Sequence, residues 1–175
     1  TVALDSAQMD GLKFDHALLV GPPGLGKTAI AKVVACEMAS EYHEVLGQSI
    51  TTPADLNAVL LSATHKSIVF IDEAHELRKE YQTALYLALG KGKVIVSGGK
   101  TPKSIRLADF SLLLATTDEH CLLQPLRDRM RLVLRFDFYS DDELITVLHQ
   151  RSRALNWSVE DEVLPLIAIR SRGTP

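Results

Sequence analysis

Short, almost unbroken apolar runs alternate along this chain with longer amphipathic stretches. HALLV (16–20), SIVFID (67–72), SLLLATT (111–117) and LVLRFDF (132–138) have the length and continuity of strands buried on both faces. HEVLGQSI (43–50) is a weaker strand candidate. Between them, KTAIAKVVACEMAS (27–40) places its apolar residues at helical spacing. TTPADLNAVLLSATH (51–65) predicts a helix with Thr52 as N-cap and Pro53 at the first helical position. KEYQTALYLALGKG (79–92) predicts a third helix, closed by glycine. Strand and helix alternating in this way define an α/β fold, a parallel sheet with helices on both faces. From Ser140 the strands stop. SDDELITVLHQRSRALN opens on a Ser140/Glu143 capping box, and a second helix is predicted to start at Ser158. The expected organisation is a large α/β domain over 1–138 and a small, truncated helical domain over 139–175.

Composition narrows the class. The 175 residues are 46% hydrophobic and 23% charged, the balance of a soluble globular domain with room for one sizeable core. A net charge of −3 argues against a surface that grips nucleic acid everywhere, while leaving room for a local basic patch. Two cysteines, Cys36 and Cys121, are too few for a disulfide framework, so a reducing cytoplasm is the expected compartment. No apolar run approaches the roughly 20 residues that span a bilayer. The chain opens on Thr1 and ends within RSRGTP, so it is expected to be a piece of a longer protein.

GPPGLGKT (21–28) fits G-x-x-x-x-G-K-[ST] and lies between a predicted strand and a predicted helix, the context this motif requires. Gly21, Pro22, Pro23, Gly24, Leu25 and Gly26 form the loop, whose glycines let backbone N–H groups turn toward phosphate oxygens at a helix N-terminus. Lys27 can reach the β- and γ-phosphates of a nucleotide, and the Thr28 hydroxyl can ligate Mg²⁺. SIVFIDEAH then delivers Asp72 and Glu73 to the carboxyl end of a strand, where α/β sheets place their ligands. Asp72 is the candidate Mg²⁺-positioning carboxylate, and Glu73 the residue that orients and polarises an attacking water. An acidic helix start would also place these carboxylates here, but not 45 residues after a phosphate-binding lysine. His75, in the same turn, reads as a local hydrogen-bonding residue rather than a metal ligand.

LLLATTDE (112–119) ends another buried strand in two hydroxyls. Thr117, with Thr116 as second choice, can hydrogen-bond the γ-phosphate or the attacking water. IDEAH invites comparison with the DEAH-box helicases, whose SAT motif follows the acidic box. Here SAT (62–64) precedes it, inside a helical pattern, so the match is a coincidence.

GPPGLGKT, IDEAH, LATT, PLRDR and RSRGTP stand in the order and spacing of the AAA+ ATPases. Together they resemble most the RuvB family, bacterial motors that drive branch migration of Holliday junctions; PLRDR and RSRGTP narrow the resemblance beyond AAA+. It implies ATP and Mg²⁺ as ligands and a homo-oligomeric, hexameric ring. Arg129, with Arg127 second, matches the arginine finger that reaches a neighbouring subunit's γ-phosphate; a surface cluster Arg127–Asp128–Arg129 is the other reading. The resemblance further implies Thr117 as the sensor at the strand end and 140–175 as a lid. It also implies duplex or branched DNA as the track, contacted mainly through regions outside this chain. Met130-Arg131 departs from the family's Phe-Gly after the finger.

KGKVIVSGGKTPKSIRL (91–107) predicts a β-hairpin with Gly98-Gly99 near its tip, carrying five basic residues and no acid. In RuvB a hairpin in this position contacts the junction-binding partner RuvA. Lysines solvating an exposed ribbon edge account for it equally well. The leading functional expectation is an ATP-driven branch-migration helicase. The alternative is a clamp-loader-like or adaptor ATPase that uses ATP as an assembly switch, since much of the core would read alike.

Overall fold

The computed structural model describes residues 2–96 and 102–175. After a first helix α1 (Val2–Met9), the chain runs through β1 (Ala17–Val20), α2 (Lys27–Glu37), β2 (Tyr42–Leu46), α3 (Pro53–Ser62), β3 (Ile68–Asp72) and α4 (Lys79–Lys91). It continues through a hairpin of β4 (Lys93–Val96) and β5 (Lys103–Arg106), then β6 (Ser111–Thr116), α5 (Gln124–Arg127), β7 (Leu132–Arg135), α6 (Asp141–Ala154) and α7 (Val163–Arg170). Two compact units result: Thr1–Val20 with Lys27–Arg135, and Gly21–Gly26 with Phe136–Pro175.

The first unit is built on a five-stranded sheet of order β2-β3-β6-β1-β7 in which every pairing is parallel. Strand β6, although later in the chain, inserts between β1 and β3. Val20 pairs with Thr116, and Ile71 with Leu114, so the carboxyl ends of the three central strands fall along one edge. These strands are the apolar runs expected of strands covered on both faces. Alternate positions serve opposite faces. Leu18, Val69, Ile71, Leu112 and Leu114 join one core cluster with Leu56 and Leu60 of α3 and Tyr81 and Leu85 of α4. Helix α2, with Ala31, Val34 and Ala35 buried, lies against β3 and β6.

Local signals hold where they are strongest. Thr52 caps α3 in a full capping box with Asp55, and Pro53 opens the helix. Gly92, at φ +60°, closes α4. The SAT segment straddles the carboxyl end of α3, whose last residue is Ser62, ahead of β3. The hairpin forms as its own two-stranded antiparallel sheet, with Lys93 facing Arg106. Its expected tip, Gly98-Gly99, and Lys100 lie outside the described residues.

Two expectations give way. Strand β7 stops at Arg135 and is exposed along most of its length, with Val133 45% and Leu134 37% accessible. It is the sheet edge beside β1, so it lacks the cover that the central strands have. Helix α7 begins at Val163 rather than after Ser158. A helix capped by Ser158 would bury Pro165 in its interior, where the missing N–H and the ring clash cost about 3 kcal/mol. Starting at Val163 puts Pro165 in the first turn, whose N–H groups have no intrahelical partner anyway.

In the second unit α6 packs on α7, with Leu144, Leu164 and Ala168 buried. The Ser140/Glu143 capping box is complete. Tyr139 N donates to Gly173 O at 3.0 Å, tying the start of this unit to its end. Among the described residues no helix is long and apolar enough to cross a membrane.

Candidate nucleotide-binding and hydrolysis site

Within the second unit, loop 21–26 is shaped by positions that only glycine fills without strain. A methyl group at Gly21 would stand 2.4 Å from the Phe136 carbonyl oxygen and 2.7 Å from its Cβ. Gly26 sits at φ +87°, in the left-handed region. Leu25 is fully buried and anchors the loop, while Pro23 and Gly24 are exposed. The Thr174 methyl lies beside Gly24, so RSRGTP, the last motif of the chain, is packed close to the first.

Within the first unit, Lys27 and Thr28 open α2, Lys27 with 8% exposure. Thr28 Oγ1 donates to Asp72 Oδ2 at 2.8 Å, and the Glu73 amide donates to Asp72 Oδ1 at 2.9 Å. Both Asp72 oxygens are therefore aimed. Thr28 and Asp72 present hard oxygen donors, hydroxyl and carboxylate, of the kind Mg²⁺ takes alongside phosphate oxygens. Among the described residues no group of three or more His, Cys, Asp or Glu side chains gathers into a metal site of its own. A cation held at Thr28 and Asp72 would therefore draw its remaining ligands from water and from the bound phosphates.

Glu73 adopts φ +49°, ψ +47°, a left-handed conformation that costs a non-glycine residue roughly 1–2 kcal/mol. Its backbone is backed by Gly47, where a methyl group would stand 2.5 Å from the Glu73 carbonyl oxygen. The half-exposed Glu73 carboxylate lies 3.4 Å from His75 Nδ1, which is also 3.2 Å from Thr116 Oγ1. His75 is thus the local hydrogen-bonding residue its position predicts. Thr116 is fully buried, and its hydroxyl is engaged by His75 and by the backbone of Asp118. Thr117, one residue past the strand end, is exposed. Of the two threonines, Thr117 is the one that meets solvent.

Arg127 ends α5 and Arg129 lies two residues beyond it, each next to a buried residue, Leu126 and Met130. Arg127 donates to Gln124 Oε1, and Asp128 accepts from the Gln124 amide. Arg129 Nη1 donates to the Pro125 carbonyl at 2.8 Å, and its guanidinium lies over the Tyr86 ring at 5.1 Å. Among the described residues neither arginine has a carboxylate within ion-pair distance, so Arg127–Asp128–Arg129 is not an internally paired cluster. Met130 fills the core beside the fully buried Leu126, and Arg131 pairs outward with Asp15 at 3.2 Å. Two contributors escaped the sequence reading, Gly47 behind Glu73 and Gly90, where a methyl group would stand 2.8 Å from Arg129 Nη2. Gly90 had a signal, a glycine in a helix interior; Gly47 had none, because its neighbour Glu73 is distant in the chain.

A parallel sheet with a phosphate loop after β1, an Asp-Glu pair at the end of β3 and a later strand inserted between them is the AAA+ form of the P-loop NTPase fold. A sequence model of the Holliday junction DNA helicase RuvB P-loop domain matches residues 1–136, and the chain belongs to that family. It is 38% identical to the Holliday junction branch migration complex subunit RuvB of Thermotoga petrophila, over all of this chain and 54% of that protein. Identity to the Neorickettsia sennetsu subunit is 40%, over 99% of this chain and 54% of that protein. The solved structure of the Thermotoga maritima RuvB Holliday junction branch migration motor superposes with a TM-score of 0.90 at 36% identity, over 99% of this chain and 55% of that one. The chain thus spans about half the length of these relatives.

Proposed function

We propose that this chain is the ATP-hydrolysing part of a ring-shaped motor that drives branch migration of Holliday junctions. The observation that carries the chemistry is the Thr28–Asp72 hydrogen bond with Glu73 on the adjoining strained residue. In this reading loop 21–26 and Lys27 hold the phosphates of ATP, the loop by backbone N–H groups and Lys27 by its charge. Thr28 and Asp72 would hold Mg²⁺, which when bound supplies positive charge to the β- and γ-phosphates. Glu73 aligns a water for in-line attack on the γ-phosphate, and Thr117 donates to that phosphate or to the water. Arg129 completes the site of the neighbouring subunit, where a planar fork matches developing charge on phosphate oxygens. The solvent-facing Thr117 favours this assignment over the buried Thr116; Arg129 takes precedence over Arg127 by its position in the family's PLRDR motif.

Helices α6 and α7 are the lid in this reading, and loss of phosphate releases them to move against the sheet domain. The hairpin over 91–107 is the candidate surface for a RuvA-type junction-binding protein, with its exposed Lys93, Lys103 and Arg106. DNA would be met mainly through further parts of the complete protein.

The deciding experiment uses the protein at its natural length and follows ATP-dependent dissociation of a synthetic four-way DNA junction, with and without the RuvA-type partner. Dissociation that needs ATP and disappears in Glu73→Gln supports the motor. ATP turnover with no junction movement, partner present, would turn the assignment to a loader-like assembly ATPase.

A further inference from the structure

Arg129 is held by three features of its own chain, and two of them lie one helical turn apart on α4. Its guanidinium rests over the Tyr86 ring, 5.1 Å from the centroid. Its Nη1 donates to the Pro125 carbonyl, four residues back, at 2.8 Å. Its Nη2 passes directly above Gly90, where a methyl group would stand only 2.8 Å away. Tyr86 and Gly90 are an i, i+4 pair on one face of the helix, so the ring and the gap form a single shallow seat.

Gly90 is the telling residue. Glycine inside a helix is about 1 kcal/mol worse than alanine, and Gly90 lies within α4, short of the true cap at Gly92. The three nearest heavy atoms to the missing methyl all belong to that guanidinium, so Arg129 is the first group that a side chain here would meet. The helix thus accepts a poor residue where Arg129 crosses it.

A long arginine on an exposed turn would otherwise sample many rotamers, and ordering it during the reaction costs free energy at the moment of catalysis. The seat uses the face of the guanidinium and one N–H, and the fork retains further donors for another molecule. No carboxylate among the described residues competes for its charge. We propose that Tyr86 and Gly90 are positioning residues that pre-aim Arg129 toward a phosphate on the neighbouring subunit. This inference rests on the reading of Arg129 as a finger acting in trans.

The test measures steady-state ATP turnover of the full-length assembled protein for Tyr86→Leu, Gly90→Ala and Arg129→Ala, singly and in pairs. Tyr86→Leu keeps apolar bulk and removes the cation–π contact. Gly90→Ala adds only the methyl that displaces the guanidinium, and as a better helix former it should not lower the melting temperature. Each is expected to lower kcat by about 3- to 10-fold with a smaller change in KM for ATP. Neither should have further effect in the Arg129→Ala background, since contacts made through one group are not additive. Mixing Gly90→Ala with Glu73→Gln subunits, whose fingers are intact, should restore turnover at the Gly90→Ala subunits' own sites.

If Arg129→Ala leaves turnover unchanged, the finger reading itself falls. If Arg129→Ala is impaired while Tyr86→Leu and Gly90→Ala match the parent, the finger stands and the seat is overturned. The seat is equally overturned if the two substitutions cost as much without Arg129 as with it, or if mixing brings no recovery.

Discussion

Thr28 Oγ1 donates a 2.8 Å hydrogen bond to Asp72 Oδ2, joining the first turn of α2 to the end of β3 across 44 positions of sequence. Asp72 in turn accepts the amide of Glu73. One carboxylate therefore ties the first turn of α2 to the backbone of Glu73, the residue proposed to align the attacking water.

Thr28→Ala and Asp72→Asn each remove a member of this pair. The Mg²⁺ concentration needed for half-maximal ATP turnover is expected to rise by at least the roughly 10- to 100-fold typical of disturbed metal sites. Turnover titrated against Mg²⁺ reads this directly, and an unchanged midpoint would remove both residues from the metal site.

Glu73→Gln is expected to lower turnover by about 10²- to 10⁴-fold, the range of a lost general base, while ATP binding persists. The backbone makes a second, separable prediction. At φ +49° glycine is favoured over any residue with a Cβ, so Glu73→Gly should be about 1 kcal/mol more stable than Glu73→Ala. Equal denaturation midpoints for the two would mean that the left-handed conformation is not retained.

Gly21→Ala would place a methyl 2.4 Å from a backbone oxygen, which cannot rotate away as a flexible side chain can. A loss of about 1–3 kcal/mol from forced movement is expected, together with weaker nucleotide binding. Calorimetric melting and titration with a fluorescent ATP analogue would show both effects. Binding at parent strength would mean that the loop can open at no cost.

His16 makes stability depend on pH. Burial, with Lys13 adding repulsion, lowers its pKa from 6.5 to about 4, and its Nδ1 accepts the Leu112 amide at 2.9 Å. The imidazole is thus held neutral in the fold, while the unfolded chain takes up a proton at ordinary pH. Its contribution is fully present above pH 6.5 and is lost as pH falls from there to about 4. Denaturant midpoints for the parent should therefore drop between pH 7 and pH 5 by more than those of His16→Asn, whose amide oxygen can keep the acceptor. Parallel pH profiles would show that His16 does not titrate differently on folding.

What could be read in advance was local. GPPGLGKT is recognisable because glycine, lysine and threonine act within one strand–turn–helix unit, and SIVFID reads as a buried strand because its run of apolar residues is itself the signal. The misplaced start of α7 was also legible in principle, since Pro165 forbids a helix capped at Ser158.

The remaining features depended on sheet order. Nothing in LVLRFDF marks β7 as an edge, because exposure of an apolar run is decided by which strand pairs beside it. Nothing in DEAH says that Glu73 turns left-handed against Gly47, and nothing in PLRDR places Arg129 over Tyr86 and Gly90. Sequence alone determined the residue types, their periodicities and the phosphate-binding motif. Tertiary structure decided which of them meet, because the insertion of β6 between β1 and β3 brings together strand ends that are far apart along the chain.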